Sequence, residues 1–166
     1  CPNDDCARLV KLKDFDPHAL EDEPVHSVNL NSNTLVYTIT ENDVIYNPKW
    51  PMVCIKALDQ FFHVNFVYHK PSKCFVLSVW LAKVQNVASN YMVNILIKGD
   101  NRNLCFDGIK VCTVEKIPSI DTCIEENGNL FLCLPLSLAK NISVKKQHGG
   151  VGMKEELSVV FSFKKI

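Results

Sequence analysis

Residues 61–69 read Phe61-Phe62-His63-Val64-Asn65-Phe66-Val67-Tyr68-His69. Phe62, Val64, Phe66 and Tyr68 fall on one side of an extended chain, and His63, Asn65 and His69 fall on the other. That is the period-two signature of a half-buried strand. Near residue 160 the pattern returns, with Leu157, Val159, Phe161 and Phe163 alternating with Ser158, Ser162 and Lys164. Further apolar or β-branched runs at 28–40, 52–57, 74–84, 91–98, 103–113 and 130–134 predict eight strands in all. Lys70-Pro71-Ser72-Lys73 and Gly99-Asp100-Asn101 each separate two such runs, as hairpin turns do. Only Ser137 to Asn141 reads as a short helix, and no strands alternate with long helices. The predicted class is all-β, an antiparallel eight-stranded β-sandwich. Gln147 to Gly152 is flexible by composition and is predicted to be an exposed loop before the last strand.

Residues 1–26 differ from the rest. They are charged and carry Cys1, Cys6, His18 and His26, with the acidic stretch Glu21-Asp22-Glu23 ahead of Pro24. The expected division is therefore a small Cys/His segment over 1–26 and the β-domain over 27–166. Cys1-x4-Cys6-x11-His18 has ligand types and distances that suggest a Cys/His zinc module, in which a turn presents two thiolates and a helix returns the imidazole. A partner three to five residues after His18 would complete it, but those positions are Glu21, Asp22 and Glu23, so His26 is the candidate fourth ligand of a partial or degenerate finger. Zinc, if bound, is structural.

Composition narrows the function classes. The 166 residues are 47% hydrophobic, enough for one domain with a sizeable core. Lys plus Arg equals Asp plus Glu at 18 each, so the long-range attraction behind non-specific nucleic-acid or anionic-membrane binding is missing, and protein partners are favoured. No apolar run approaches the roughly 18 residues a membrane span requires, and CPNDDCARLVKLKD has no apolar signal-peptide stretch. A first residue other than Met marks the chain as a piece of a longer protein. Of eight cysteines, Cys54, Cys74, Cys105, Cys112, Cys123 and Cys133 mostly lie in apolar runs and read as reduced core residues. A cytoplasmic or nuclear setting is expected.

Catalytic chemistry finds little support in the residues. His63 and His69 lie about 20 Å apart along one strand and cannot share a ligand, so both read as surface histidines. No cysteine sits in a local protease signature, and Gly149-Gly150-Val151-Gly152 is followed by a strand where a phosphate cradle needs a helix. Trp50 lies between Pro48 and Pro51, and Met52 directly follows Pro51. Two positions apart on a strand they share a face, either in the core or in a surface groove. The prolines, which cannot donate to a ladder, mark an edge where an incoming peptide could dock.

Several of these stretches together resemble a known family. Asn29-Leu30 through Val36-Tyr37-Thr38-Ile39-Thr40, then Lys49-Trp50 and Met52, then Phe62-His63 to Lys70, are similar to the start of the seven-in-absentia (Siah) substrate-binding domain, a TRAF-like sandwich. Leu30 to Trp50 fits without a gap, and an insertion falls between Met52 and Phe62. Lys98 to Leu104 is similar to a strand-turn-strand of that family, Leu136-Ser137-Leu138-Ala139-Lys140 to its short helix, and Cys1-x4-Cys6-x11-His18 to part of the preceding zinc finger. The resemblance implies a RING ubiquitin ligase, or a RING-less relative, whose sandwich forms a homodimer and binds an extended Pro-x-Ala-x-Val-x-Pro peptide by strand addition. The groove positions carried over are Val28, Leu30, Pro48, Trp50 and Met52. Pro48 and Lys49 replace the family's usual valine-aspartate. The alternative is a structural dimerisation scaffold that binds no such peptide. A zinc-dependent or thiol enzyme and a secreted immunoglobulin-like domain are the more distant readings.

Overall fold

A computed structural model of the chain describes residues 8–11, 14–21, 27–29, 33–39, 53–83, 85–113, 130–147 and 153–166. One sheet holds β1 (Ser27–Asn29), β3 (Val53–Ala57), β4 (Gln60–His69), β5 (Cys74–Leu81), β8 (Cys112–Thr113) and β9 (Phe131–Pro135). The other holds β2 (Thr34–Ile39), β6 (Tyr91–Lys98), β7 (Asn103–Lys110), β10 (Val144–Gln147) and β11 (Met153–Lys165). Among the described residues three short helices accompany them: α1 (Phe15–Glu21), α2 (Gln85–Ala88) and α3 (Leu136–Ile142).

The alternation in 61–69 decides how the sheets meet. Phe62, Val64, Phe66 and Tyr68 of β4 are buried together with Phe75, Leu77, Val79 and Leu81 of β5, on the face turned toward Val93, Ile95 and Ile97 of β6 and Leu157, Val159 and Phe161 of β11. Rings interlock across the gap: Phe62 stacks on Phe163 at 4.1 Å, and Tyr37 of β2 meets Phe66 at 4.6 Å. Each fully buried Phe or Leu contributes roughly 1.5–3 kcal/mol by leaving water, so this shared layer dominates the stability of the fold.

Register shows which strands are central. Residues 158–160 of β11 pair with β2 and also with β6, while Glu155 and Glu156 pair with β2 and also with β10. β2 therefore occupies one edge of β11, and β6 and β10 follow each other along its opposite edge. In the first sheet β5 plays that part, with β4 on one side and β9 then β8 on the other. Most pairs are antiparallel, as expected, but β1 with β3 and β5 with β8 run parallel.

Turn chemistry fixes the hairpins. β4 and β5 close on the pair His69–Cys74 around residues 70–73, and β6 and β7 close on Lys98–Asn103, both as predicted. At Gly99 a Cβ would collide with the carbonyl oxygen of Ile142 at the end of α3, so only glycine lets the helix seat there. In β7, Asp107 and Gly108 together oppose Asn94; Gly108 takes φ +71° and donates its N–H to Asn94 Oδ1 at 3.0 Å. This bulge twists an outer strand of the second sheet. Leu58 and Asp59 form the two-residue turn between β3 and β4 with φ of 49° and 57°, a geometry usually given to Asn-Gly.

Among the described residues the eight predicted strands become eleven. The run 28–40 divides into β1 and β2, 103–113 divides into β7 and β8, and β10 had no period-two signal of its own. Helix α3 covers the predicted 137–141, while α1 and α2 add to it.

Candidate functional site

The peptide-docking expectation centred on Val28, Leu30, Pro48, Trp50 and Met52. Val28 lies in β1, in parallel register with Cys54 of β3. Leu30, Pro48, Trp50 and Met52 lie outside the described residues, although Met52 immediately precedes Val53, the first residue of β3. Among the described residues β1 is the last strand on this side of the first sheet. An edge of this kind offers unpaired backbone groups to an extended segment.

From that edge a row of residues runs across the sheet. Val28 pairs with Cys54, Cys54 with His63, His63 with Trp80, and Trp80 with Cys112. Because Phe62 and Leu81 point into the shared core, their neighbours His63 and Trp80 point to the outer face. That face is not exposed. Helix α1 lies over it, with the Phe15 ring 5.0 Å from His63 and 5.2 Å from Trp80, while His63 and Trp80 stack at 4.4 Å. Phe15, Trp80, Ala82 and Cys112 form a second buried cluster, separate from the main core.

His63 is consequently 0% exposed, which corrects its reading as a surface histidine. Its Nε2 lies 3.2 Å from Asp16 Oδ1 in α1, and Lys83 Nζ lies 3.3 Å from Asp16 Oδ2. Burial works to raise the Asp16 carboxyl, but the hydrogen bond and charge of His63, then Lys83, outweigh it and hold Asp16 below its ordinary value. Burial lowers His63, and the opposing pull of Asp16 does not restore it. Both directions agree on one state: an ionised Asp16 accepting a hydrogen bond from the Nε2–H of a neutral imidazole. His63 Nδ1 is then a buried acceptor with no hydrogen-bond donor among the described residues.

Asp16, His63 and Cys54 comprise the residue types of a cysteine-hydrolase centre, but their electrostatics oppose that chemistry. Burial, then the Asp16 charge, push the Cys54 thiol up to about 12, the reverse of what a nucleophilic thiolate needs. The cluster is better described as a polar pin holding α1 to the sheet. Sequence reasoning missed it because Asp16 and His63 are far apart in the chain; the available signal was the apolar outer face of β5, where Trp80 and Val76 stand in place of polar residues.

Of the predicted zinc ligands, His18 lies on α1, as a helix returning an imidazole requires, and is buried with its ring 5.9 Å from Phe15. Cys1, Cys6 and His26 lie outside the described residues. No group of three or more metal-type side chains gathers among the described residues, and that set holds only one of the four proposed ligands.

The cysteines divide by environment. Cys54, Cys74 and Cys112 are buried, as expected, whereas Cys133 is half-buried and Cys105 stands exposed on β7 with its thiol 3.6 Å from Asp107. All five are free thiols, and Cys123 lies outside the described residues. Among the described residues no helix is long and apolar enough to cross a membrane. No protein-family model matches the chain, and no curated protein matches it significantly.

Proposed function

We propose that the chain is the partner-recognition module of a Siah-like RING ubiquitin ligase, or of a RING-less relative, with a TRAF-like sandwich that binds extended peptides by strand addition. The observation that favours this reading is the short parallel strand β1, the last of the first sheet among the described residues, directly beside β3, which follows Trp50 and Met52 in sequence. Backbone pairing along that edge supplies affinity, and Val28, Leu30, Pro48, Trp50 and Met52 supply selectivity. The module acts as a homodimer, with Cys1, Cys6, His18 and His26 as ligands of a structural zinc ahead of the domain.

Fluorescence polarisation with a labelled Pro-x-Ala-x-Val-x-Pro peptide, paired with light scattering, tests the reading. Saturable binding by a dimer, lost in Trp50→Ala while the thermal midpoint stays near the parent's, is the expected result. A dimer that ignores extended peptides of every register makes the chain a structural scaffold instead. A midpoint loss in Trp50→Ala on the order of 3 kcal/mol would place Trp50 in the core rather than in a groove.

A further inference from the structure

At the opposite end of the first sheet from the β1 edge, the β4–β5 turn brings His69, Ser72 and Cys74 together. Ser72 Oγ lies 2.7 Å from His69 Nδ1 and 2.9 Å from Cys74 Sγ. The backbone N–H of Ser72 also points at His69 Nδ1, at 3.4 Å. A backbone N–H can only donate, so Nδ1 carries a lone pair and the imidazole proton resides on Nε2. Ser72 O–H then donates to Nδ1, which leaves Ser72 Oγ to accept from the Cys74 thiol.

A second thiol lies beside Cys74. In the β5–β9 ladder Cys74 faces Pro135 and Val76 faces Cys133, so the two cysteines are diagonal neighbours on one face of the sheet. Burial, then the neighbouring Cys74 sulfur, push the Cys133 thiol up, so that it keeps its proton. Cys74 S–H donates to Ser72 and Ser72 O–H donates to His69, with Cys133 beside Cys74 at the inner end. Cys74 is buried, Cys133 half-buried, and the turn at Ser72 exposed, so the relay runs from a sheltered sulfur pair to solvent.

We propose that Cys74 and Cys133 form a peroxide-sensitive dithiol, in which Cys74 attacks hydrogen peroxide and Cys133 closes a disulfide on it. In the first step the Cys74 proton passes through Ser72 to His69 as the sulfur bonds to one peroxide oxygen and the O–O bond breaks. The departing hydroxide takes that proton and leaves as water, and Cys74 becomes a sulfenic acid. In the second step Cys133 sulfur attacks Cys74 sulfur, and the sulfenic hydroxyl leaves with the Cys133 proton as a second water. Two thiols lose two electrons, and one peroxide is reduced to two waters.

Diagonal positions on an antiparallel pair have Cα atoms about 7–8 Å apart, slightly beyond the roughly 4.4–6.8 Å that a disulfide spans, so β9 must close by about 1 Å. The movement falls at strand ends, because Cys74 begins β5 and β9 finishes at Pro135. Leu136 N–H already donates to Lys73 O at 2.9 Å there, tying the start of α3 to the same turn.

Peptide mapping of the 166-residue chain after stoichiometric hydrogen peroxide and alkylation of the remaining thiols tests the proposal. A Cys74–Cys133 linked peptide, reversed by dithiothreitol, is expected before Cys105 oxidises, although Cys105 is the more exposed thiol. Ser72→Ala should slow this oxidation by about tenfold or more, short of the hundredfold that a fully positioned acid–base group supplies. Cys133→Ser should replace the bridge with a dimedone-trappable sulfenic acid on Cys74. Continued protection of Cys54 and Cys112 from alkylation certifies the fold of each variant, and Ser72→Ala, in an exposed turn, decides the matter if Cys133→Ser does not fold. Oxidation of Cys105 ahead of the pair, an unchanged rate in Ser72→Ala, or separate over-oxidation of Cys74 and Cys133 without a bridge overturns the proposal.

Discussion

β5 and β6 are both eight-residue strands, and each contributes alternate residues to the shared core, but their other faces meet different surroundings. In β6, Met92, Asn94 and Leu96 are only half-buried. In β5 every residue is buried, because Phe15 covers Trp80 at one end and Phe131 and Cys133 pack with Val76 and Cys74 at the other. The first sheet thus has layers on both faces at β5, the outer one contributed by α1. What distinguishes the two strands is the composition of their second faces: Cys74, Val76, Ser78 and Trp80 against Met92, Asn94, Leu96 and Lys98.

Truncating one outward residue on each strand should expose this difference. Trp80→Ala removes a fully buried ring from the α1 contact and should cost about 3–5 kcal/mol, whereas Met92→Ala on β6 should cost about 0.5 kcal/mol, both measured by denaturant unfolding. Equal losses would mean that α1 contributes nothing to the outer face. Asp16→Ala leaves the His63 Nε2–H without its acceptor in a buried site, and a loss of about 1–3 kcal/mol is expected from the same measurement.

Acidity probes the same contact without mutation. The folded state holds His63 below its ordinary value of 6.5, so as pH falls through that value the unfolded chain takes up the proton first. Stability from this group is fully present above 6.5 and declines below it. Asp16 adds a second decline as pH falls below its ordinary 3.8 toward the lower folded value. Thermal midpoints should therefore decrease on acidification from pH 7 toward pH 5, and less so in His63→Phe; a flat or rising parent profile would contradict a neutral buried His63. The smallest effect is expected at the β3–β4 turn. Replacing Leu58-Asp59 by Asn-Gly suits the positive φ at both positions and should gain about 0.5–1 kcal/mol.

The period-two reading found β4, β6 and most of β11 because each has one face in the core and one that is wetter, which writes alternation into the residues. It could not divide 28–40, where β1 and β2 belong to different sheets though they are close in sequence, since propensity is local and sheet membership is not. The same limit hid the pin: His63 alternates like a solvent-facing residue, and only the docking of Asp16 and Phe15 removes it from water. A helix bearing His18 was legible from the spacing of Cys6 and His18, while its seat against Trp80 was not. The relay at Ser72 needed the ladder register of β9, which joins residues from distant parts of the chain.

β11 is the last strand in sequence order and the middle of its sheet, bonded to β2 along one edge and to β6 and β10 along the other. During synthesis β2 must wait, without its partner, until residues 153–165 emerge, and the local β6–β7 hairpin of that sheet can form before then. A ribosome stalled before residue 153 would leave the apolar face of the first sheet without Leu157, Val159 and Phe161, so that face stays partly open to water until β11 arrives.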